Sequence, residues 1–254
     1  MDKIENVILC NRLTVPSCKI LRKELEKISG IRYPIVRDIN SPVNIFLRYG
    51  NSHTSDFIQE DSDINPKNLI HICSNKYKFS ELMLKNGLFA PKFSRNFSEI
   101  TFPCVIRSTL TGYGGEGIIM VKNKEDLIDK YRVGYWWTPF IFMVSEFRVH
   151  IANGNIIKLF KKVPKENYVE EMPIRNLSSC HYSLQNTDGK FGKLKELVTK
   201  MTEIFGEKYF MALDVGWVLD KKDYFILEGN SAPGLNEFTA NTYAQNILEM
   251  IKKE

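Results

Sequence analysis

The stretch Ile226-Leu227-Glu228-Gly229-Asn230-Ser231-Ala232-Pro233-Gly234-Leu235 determines how this chain is interpreted. It begins in a strand-like run and places a carboxylate and a carboxamide two residues apart. Side chains two apart in a strand point to one face, so Glu228 and Asn230 present their oxygen atoms together. A second strand-like run, residues 210–219, contains Asp214. If the two strands pair, three oxygen-bearing side chains converge, and this favours a Mg²⁺ site bridging nucleotide phosphates.

Each of these three residues also has a simpler interpretation. A buried ion pair or a cap would explain Asp214, although an acid in an apolar strand is costly to bury without a partner or a metal. A solvated edge strand would explain Glu228 and Asn230. The Pro233-Gly234 turn argues against that interpretation, because it implies a fixed backbone after the strand.

Length and composition indicate a folded chain with a sizeable core. The 254 residues are 43% hydrophobic and 12% aromatic, which fits one large domain or a few small ones. The net charge of +5 comes from Lys and Arg spread along the chain. Such a charge fits an anionic small-molecule ligand as well as a nucleic acid, so nucleic acid is not specifically indicated.

The cellular setting is predicted from what the sequence lacks. No run of 18 or more apolar residues occurs, so we expect no membrane-spanning helix. The N-terminus is charged and has no secretory apolar segment. The five cysteines form no CxxC pair, which argues against a disulfide framework or a zinc site. We therefore expect a reduced, cytoplasmic protein.

The first part of the chain predicts a small α/β unit with a partly parallel sheet. We expect strands at residues 7–10, 33–36 and 43–49 and a helix at residues 17–28. Arg48-Tyr49-Gly50-Asn51-Ser52 ends the last of these strands, and residues just past such a strand end often line a ligand crevice. A plain turn at residues 50–52 explains the stretch equally well. The polar residues 52–68 predict a loop or a domain edge.

The remaining elements follow from hydrophobic periodicity. Asn153-Gly154 predicts a hairpin turn between two strands. Residues 161–183 are polar and predict irregular structure. We expect strands at residues 69–73, 102–106, 118–121, 140–151 and 155–160, and helices at residues 76–86, 125–131, 192–205 and 243–251.

A glycine-rich stretch, residues 108–117, lies between two of these strands. Its Gly114, Gly115 and Gly117 leave backbone N–H groups free for phosphate oxygens, although a flexible hairpin tip would by itself explain them better. The stretch matches neither the P-loop nor the dinucleotide-binding fingerprint. Arg107 directly before it and Lys76 at the start of the preceding helix add the two cations that a nucleotide would need.

Further basic residues follow the predicted hairpin. Any of them could neutralise charge on a transferred phosphoryl group, although isolated basic residues more often lie on the surface. His150 and His181 are expected to be structural. The candidates are Arg148, Lys161 or its neighbour Lys162, Arg175 and Asn176.

Taken together, these motifs resemble the ATP-grasp superfamily of carboxylate–amine ligases from about Asn75 to the C-terminus. Asn75-Lys76 resembles the start of the segment with the family's first phosphate-binding lysine. Residues 103–107 and 114–118 resemble its second lysine and its mobile glycine-rich loop, with Arg107 in place of the lysine. The most specific match is Asp214 together with residues 228–235, which resemble the metal-binding acid pair, the asparagine and the Pro-Gly that follow.

Two branches of the superfamily share further features with this chain. A phage-associated branch has Arg at the position of Arg107, and residues 48–52, 146–150 and 230–235 are similar to it. Arg175-Asn176 is similar to the Arg-x-Asn region of the ribosomal-protein glutamate ligases. Here the two residues are adjacent, and Ser178-Ser179-Cys180 stand where those ligases have glycines.

The resemblance implies an α/β (α+β) architecture with ATP between two α+β subdomains, after a small Rossmann-like N-terminal domain. The expected divisions are residues 1–72, 73–135 and 136–254. Adenine would lie at the connector near residues 136–140, including Trp137, and Glu146 would bind the ribose hydroxyls. Asp214, Glu228 and Asn230 would bind Mg²⁺, with Mn²⁺ as an alternative.

The implied reaction joins a carboxylate to an amine at the expense of ATP. The carboxylate would attack the γ-phosphate to give an acylphosphate, and the amine would displace phosphate to give an amide or peptide bond. Arg148, Lys161, Arg175 and Asn176 would act at the transferred group. The substrates would be small molecules or peptides, and a homodimer is one expected assembly because related ligases are often dimers.

Two other functions remain open at this point. A small-molecule kinase could use the same scaffold and release a stable phosphorylated product. A non-catalytic nucleotide-binding protein would fit the replacement of lysine by Arg107 and the absence of glycines near Cys180.

Overall fold

The computed structural model describes residues 4–62, 64–111, 115–128, 131, 134–166, 179–187 and 191–252. The described residues form three sheets and five α-helices. The helices are α1 (Pro16–Ser29), α2 (Lys67–Cys73), α3 (Lys76–Lys85), α4 (Gly192–Phe205) and α5 (Glu237–Lys252). The strands are β1 (Glu5–Cys10), β2 (Ile35–Val36), β3 (Val43–Tyr49), β4 (Ile58–Glu60), β5 (Cys104–Arg107), β6 (Ile118–Val121), β7 (Trp136–Pro139), β8 (Ser145–Ala152), β9 (Asn155–Pro164), β10 (Cys180–Leu184), β11 (Phe210–Val218) and β12 (Asp223–Asn230).

The N-terminal sheet is parallel and has the order β2-β1-β3-β4. The second half of β1 is an apolar run, Val7 to Cys10, that is almost fully buried. Continuous apolar runs are typical of parallel strands, which are covered on both faces. Helix α1 ends at Gly30, whose φ of 71° suits a residue without a Cβ. The mixed α/β class expected from the sequence is confirmed.

The second sheet has three antiparallel strands in the order β6-β5-β7. One face has its own small core, formed by Cys104, Ile106, Val121 and Trp137. Residues that alternate with these point to the opposite face. Arg107 and Trp136 are directly opposite one another in the register and share that second face.

The third sheet has five antiparallel strands in the order β10-β9-β8-β11-β12. Its two faces differ in chemistry. The apolar face packs against α2, α3 and α4 through residues such as Val149, Leu213 and Phe79. The opposite face carries most of the charged residues of β8, β9, β11 and β12, and we call it the polar face.

The hydrophobic cores do not follow the expected divisions at residues 72/73 and 135/136. Helices α2 and α3 both contribute to the core beneath the five-stranded sheet. Helix α5 packs against α1 of the N-terminal unit, with Tyr243 and Ile247 beside Leu21 and Leu25. A core shared between segments does not by itself define where units begin and end, so the division into three units stays a prediction.

Several predicted elements differ from the structure. Residues 69–73 belong to helix α2 rather than a strand, because a short apolar run fits both geometries and burial of Leu69 and Ile70 against the large sheet selects the helix. Of the helix expected at residues 125–131, residues 125 and 126 form a turn and residues 127 and 128 lie in neither a helix nor a strand, while residues 129 and 130 lie outside the described residues. Strand β4 lies within residues 52–68, which were expected to form a loop or a domain edge. The end of β9 and most of β10 lie within residues 161–183, which were expected to be irregular. The strand expected at residues 140–151 begins only at Ser145.

The hairpin at Asn153-Gly154 is present, and both residues have positive φ angles of 51° and 70°. Helix α4 has the predicted bounds. None of the helices in the described ranges is long and apolar enough to cross a membrane.

His150 lies in the core between the large sheet and α5 and is 3% exposed. Its Nδ1 is 3.1 Å from the Tyr243 hydroxyl, which donates to the Met211 carbonyl at 2.8 Å. Burial lowers the pKa of His150 to about 3, with Arg148 acting in the same direction. These contacts agree with the structural role expected for this histidine.

The lowered pKa of His150 predicts acid destabilisation. The folded state keeps the imidazole neutral, whereas the unfolded chain takes up a proton below about pH 6.5. Stability is therefore full above that pH and falls toward pH 3, by up to about 1.4 kcal/mol per pH unit. Denaturant unfolding from pH 7 to 4.5 should show a shallower loss in His150→Gln. His181→Gln, at an exposed site, controls for the substitution itself, and equal slopes in all three proteins would contradict the prediction.

Candidate functional site

Three charged residues form one row across the middle of the polar face. Asp214 on β11 is directly opposite Arg148 on β8 and Glu228 on β12. The register between β11 and β12 shifts at this point, because Val215 is opposite Ile226 and Leu227 has no partner. This irregularity turns Ile226 to the apolar face while Glu228 points to the polar face. The two acids of the expected metal site are thereby brought side by side.

Asp214 is buried and held by two cations. Arg148 donates to both carboxylate oxygens, from Nε to Oδ1 at 2.8 Å and from Nη2 to Oδ2 at 2.7 Å. Lys162 Nζ lies 3.1 Å from Oδ2. Burial alone would raise the pKa of Asp214, but the charges of Lys162 and Arg148 lower it well below its usual range. Asp214 is therefore ionised at neutral pH.

Glu146 and Lys162 form a second buried pair beside this row. The two residues are opposite each other in the register of β8 and β9, and Lys162 Nζ donates to Glu146 Oε1. Burial would lower the pKa of Lys162, yet Asp214 and Glu146 raise it above its ordinary value. Lys162 thus carries a full positive charge between two carboxylates, and its side chain is 4% exposed.

Glu228 lies nearer to solvent and contacts a lysine from another element. Its Oε2 is 2.7 Å from Lys76 Nζ, and the side chain is 27% exposed. The amide of Asn230 lies 3.5 Å from Glu228 Oε1. Asn75 caps helix α3 by accepting from Tyr77 N and Lys78 N, which fixes the first turn that carries Lys76.

Gly229 lies between Glu228 and Asn230 on β12, and it faces helix α3 on the apolar side of the sheet. No larger residue fits there. A Cβ at this position would lie 2.5 Å from Cε2 of Phe79 in helix α3. The side chains at 228 and 230 point away from that helix. The Glu-Gly-Asn order therefore allows α3 to lie directly beneath β12 while Lys76 at its start reaches Glu228.

Arg107 is the last residue of β5, the central strand of the three-stranded sheet. Its Nε is buried and has no hydrogen-bond partner among the described residues. Burial lowers its pKa, and the charge of Glu228 acts in the opposite direction. A buried guanidinium N–H without an acceptor is costly, so an anionic ligand at this position would satisfy it.

The glycine-rich stretch returns from β5 to β6 beside Arg107. Gly115 and Gly117 have φ angles of 92° and 70°, and a Cβ on Gly117 would collide with the Ser108 hydroxyl. The Leu110 carbonyl accepts from Lys76 N at 3.0 Å, which ties this stretch to the start of α3. Gly114 lies outside the described residues.

Other residues expected in the site are placed elsewhere. Trp137 is buried in the core of the three-stranded sheet, and its indole donates to the Asn96 carbonyl at 3.1 Å. Lys161 is opposite Phe147, whose side chain packs in the apolar core. Neighbouring residues of a strand point to opposite faces, so Lys161 lies on the apolar face while Lys162 lies on the polar face. The structure therefore brings neither Trp137 nor Lys161 to the polar face. Arg175 and Asn176 lie outside the described residues.

The fit of this site to a nucleotide and a metal follows from its groups. Two carboxylates and an amide oxygen suit a hard cation such as Mg²⁺. Among the described residues no group of three or more His, Cys, Asp or Glu side chains is arranged to hold a metal ion by itself, and both carboxylates contact cations of the chain. Positive charge exceeds negative charge by one across the group of Lys76, Arg107, Arg148, Lys162, Glu146, Asp214 and Glu228. An anionic ligand complexed with a divalent cation fits such a set.

The N-terminal unit holds the segment that follows β12. The Tyr49 hydroxyl donates to the Pro233 carbonyl, and Asn65 donates to the Ser231 carbonyl at 3.3 Å. Gly50 lies against Ala232, where a Cβ on Gly50 would be 2.7 Å from the Ala232 Cβ. The sequence indicated Tyr49 and Gly50 as crevice residues, but Asn65 had no recognisable signal because its partners are distant in sequence.

Arg48 fixes the loop that carries Gly50. It is fully buried, pairs with both oxygens of Asp61, and donates to the carbonyls of Asn51 and His53 at 3.1 and 2.9 Å. With these bonds made, Arg48 is a structural support rather than a group available to a ligand.

The close contact at Gly50 predicts a destabilised Gly50→Ala variant. Gly30→Ala is the matched control, because Gly30 has nearly the same φ, 71° against 70°, but no atom within 4 Å of the place that an added methyl group would take. The control should lose about 1–2 kcal/mol from the positive φ alone. Gly50→Ala should lose about 1 kcal/mol or more beyond that, because Ala232 has to move. Urea unfolding measures both, and equal losses would contradict the contact.

Comparison with known proteins finds relatives among ligases. No protein-family model matches the chain. A coenzyme gamma-F420-2:alpha-L-glutamate ligase of Methanocaldococcus jannaschii is 22% identical over 203 residues, covering 69% of this chain and 64% of that protein. The corresponding ligase of Methanococcus maripaludis is 21% identical with the same coverage. The chain thus spans less than two thirds of the length of the curated relatives it matches.

Solved structures with a similar fold cover almost the whole chain. The ATP-grasp ligase PsnB, complexed with a minimal precursor, Mg and ADP, has a TM-score of 0.65 at 10% identity, with 98% of both chains covered. The D-alanine–D-alanine ligase of Bacillus anthracis complexed with ATP has a TM-score of 0.66 at 12% identity, covering 100% and 99%. A RimK domain ATP-grasp protein of Sphaerobacter thermophilus has a TM-score of 0.64 at 15% identity, covering 96% and 99%.

Proposed function

We propose that this chain, which has the ATP-grasp fold, is an ATP-dependent carboxylate–amine ligase that forms an amide or peptide bond. The observation that carries the proposal is the convergence of Glu228 with Asp214 on one strand row and with Lys76 from helix α3. An acid pair with a lysine above it provides a place for a metal and for the phosphates that the metal bridges. The curated relatives are ligases, and the fold neighbours include complexes with Mg and ADP or with ATP.

The residues divide into those that would bind the nucleotide and those that would bind the metal. Lys76, Arg107 and the backbone of Gly115 and Gly117 would bind phosphate oxygens, with Gly114 expected to join them. Asp214, Glu228 and Asn230 would bind Mg²⁺ or Mn²⁺. Glu146 is proposed for the ribose hydroxyls, and the segment near residues 136–140 for adenine.

Lys162 and Arg148 are proposed to act on the transferred group. Both are positively charged and face the row of acids, and both keep Asp214 ionised. When bound, ATP would supply the phosphoryl group that activates the carboxylate, and the amine would then displace phosphate. The chain's own contribution would be to orient the reactants, neutralise charge and exclude water.

The substrates are proposed to be a carboxylate and an amine, each a small molecule or a peptide. Arg175 and Asn176 are retained as proposed substrate-contacting residues from the resemblance alone. A cytoplasmic location and a homodimer likewise remain expectations from the sequence.

Removal of Glu228 tests the metal site. In Glu228→Ala, amine-dependent release of ADP should fall about 100-fold or more, because a charged ligand is lost where phosphoryl charge develops. The measurement is ADP formation with Mg²⁺, ATP and pooled acids and amines, with products identified by mass spectrometry. Glu203→Ala, on the exposed side of α4, is the matched control and should retain wild-type turnover.

The products separate this proposal from its alternatives. An amide with ADP supports the ligase. A stable phosphorylated product without an amide would identify a kinase, and Mg-ATP binding without ADP formation would identify a non-catalytic nucleotide-binding protein. Full activity in Glu228→Ala would remove the assignment of the metal site.

Two neighbouring lysines test which face of β9 belongs to the site. Lys162→Met should lower turnover about 100-fold, because its charge lies between Glu146 and Asp214. Lys161→Met should keep nearly full turnover, because its side chain leaves the opposite face of the strand. Circular dichroism should confirm that both variants fold. The reverse order of the two effects would show that the site lies on the other face.

A further inference from the structure

The polar face continues past Arg148 onto β9 and β10, where its character changes. Phe160 is opposite Arg148 in the register, and Leu184 is opposite Phe160. Tyr182 lies beside them, with its ring centroid 6.4 Å from that of Phe160 and 5.4 Å from the Arg148 guanidinium carbon. The face therefore passes from paired charges to aromatic and aliphatic groups within one strand spacing.

Phe238 lies near this surface on another element, because Lys158, two residues before Phe160 on β9, places its Nζ 3.7 Å from the centre of the Phe238 ring. It lies in the first turn of α5, shortly after the segment that the N-terminal unit holds. Phe238 is 56% exposed and Leu184 is 53% exposed. Large apolar side chains that are exposed beside a candidate active site mark a binding surface rather than a core. We call Phe160, Tyr182, Leu184 and Phe238 the aromatic strip.

Lys158 adds a positive charge to the strip. It is opposite His150 on the polar face, and its Nζ lies 3.7 Å above the Phe238 ring. Burial lowers its pKa. Lys158 forms no ion pair with any other residue in the described part of the chain, whereas Arg148 and Lys162 are both paired with acids. Glu237 precedes Phe238 and is exposed to solvent.

We propose that the aromatic strip and Lys158 bind a substrate of the ligase that has an aromatic side chain and a carboxylate that does not react. The proposal rests on the function proposed above and specifies one of the two substrates. A free aromatic α-amino acid has this chemistry, and it would be the amine substrate, whose α-amino group displaces phosphate from the acylphosphate while its own carboxylate stays free. Its ring would pack on Phe160 and Phe238, and its free carboxylate would pair with Lys158.

The spacing along β9 shows why the carboxylate at Lys158 is not the reacting one. Lys158 is two residues from Phe160, about 7 Å along the strand, and four residues from Lys162, about 13 Å. A group at Lys158 is therefore too far from the acids and from Lys162 to receive a phosphoryl group there. The positive charge instead selects and orients the substrate.

Binding without turnover tests the inference directly. Calorimetry on the full chain with Mg-ADP would compare L-phenylalanine, L-phenylalaninamide, L-alanine and L-glutamate. We expect L-phenylalanine to bind most tightly. Its dissociation constant should rise about tenfold in Phe238→Ala through lost apolar contact, and about fivefold in Lys158→Met through the lost ion pair. L-phenylalaninamide, which lacks the carboxylate, should bind the wild type and Lys158→Met equally.

Matched controls are available at other surfaces. Leu219→Ala changes a 60% exposed apolar residue at the turn between β11 and β12, and Lys200→Met changes an exposed lysine of α4; neither should affect binding. Tighter binding of L-glutamate or L-alanine than of L-phenylalanine would overturn the inference. Unchanged affinity for L-phenylalanine in both Phe238→Ala and Lys158→Met would also overturn it.

A parallel ADP assay with pooled acids and amines keeps the two proposals distinct. ADP and amide formed without selective binding of the aromatic ligand would leave the ligase proposal and remove this one. The opposite result is selective binding of L-phenylalanine that is lost in Phe238→Ala and Lys158→Met, without amide formation from any pool. It would contradict the ligase function and would still support the aromatic strip as a site for an aromatic amino acid.

Discussion

The buried charge of Asp214 is the constraint on which the site depends. An isolated carboxylate in this position would be too costly to bury, so Arg148 and Lys162 have to lie against it. Lys162 in turn brings Glu146 into the same group. Removing any one partner would leave an uncompensated charge, which typically costs about 3–5 kcal/mol. The relative positions of β8, β9 and β11 are therefore coupled to one another through electrostatics as well as through backbone pairing.

Asp214, Glu228 and Lys76 are positioned by different parts of the chain. Glu228 points to Asp214 because the register passes over Leu227, and Lys76 reaches Glu228 because Gly229 lets α3 lie close beneath β12. The N-terminal unit holds the following Ser231–Pro233 backbone through Tyr49, Asn65 and Gly50. A small displacement of any of these contacts would move Glu228 and Asn230 relative to Asp214, and the Mg²⁺ site that we propose would tolerate little such movement.

Much of the architecture could be predicted from the sequence because its signals are local. Gly192–Phe205 has a clear amphipathic period, and Asn153-Gly154 supplies the positive φ angles of a tight hairpin. Residues 69–73 of helix α2 were predicted wrongly as a strand, because a run of four apolar residues and one histidine fits either geometry until a tertiary partner selects one. Local spacing could not decide whether Lys161 or Lys162 points to the polar face. A shift of one residue in the strand register would exchange the two, and the register decides which of them meets Glu146.

The sequence by itself identified the groups that we propose to bind a nucleotide and a metal. The acids, the asparagine, the two leading cations and the glycines are identifiable by residue type and by short spacing, both of which are properties of neighbouring residues. Only the tertiary structure decided which of them meet. It paired Asp214 with Arg148 and Lys162, and it buried Trp137 in the core of the three-stranded sheet. It also placed Phe238 beside Lys158, although the two residues are 80 positions apart in the sequence. The physical reason is that strand register and helix packing join residues that are distant in the chain, and no local pattern encodes those distances.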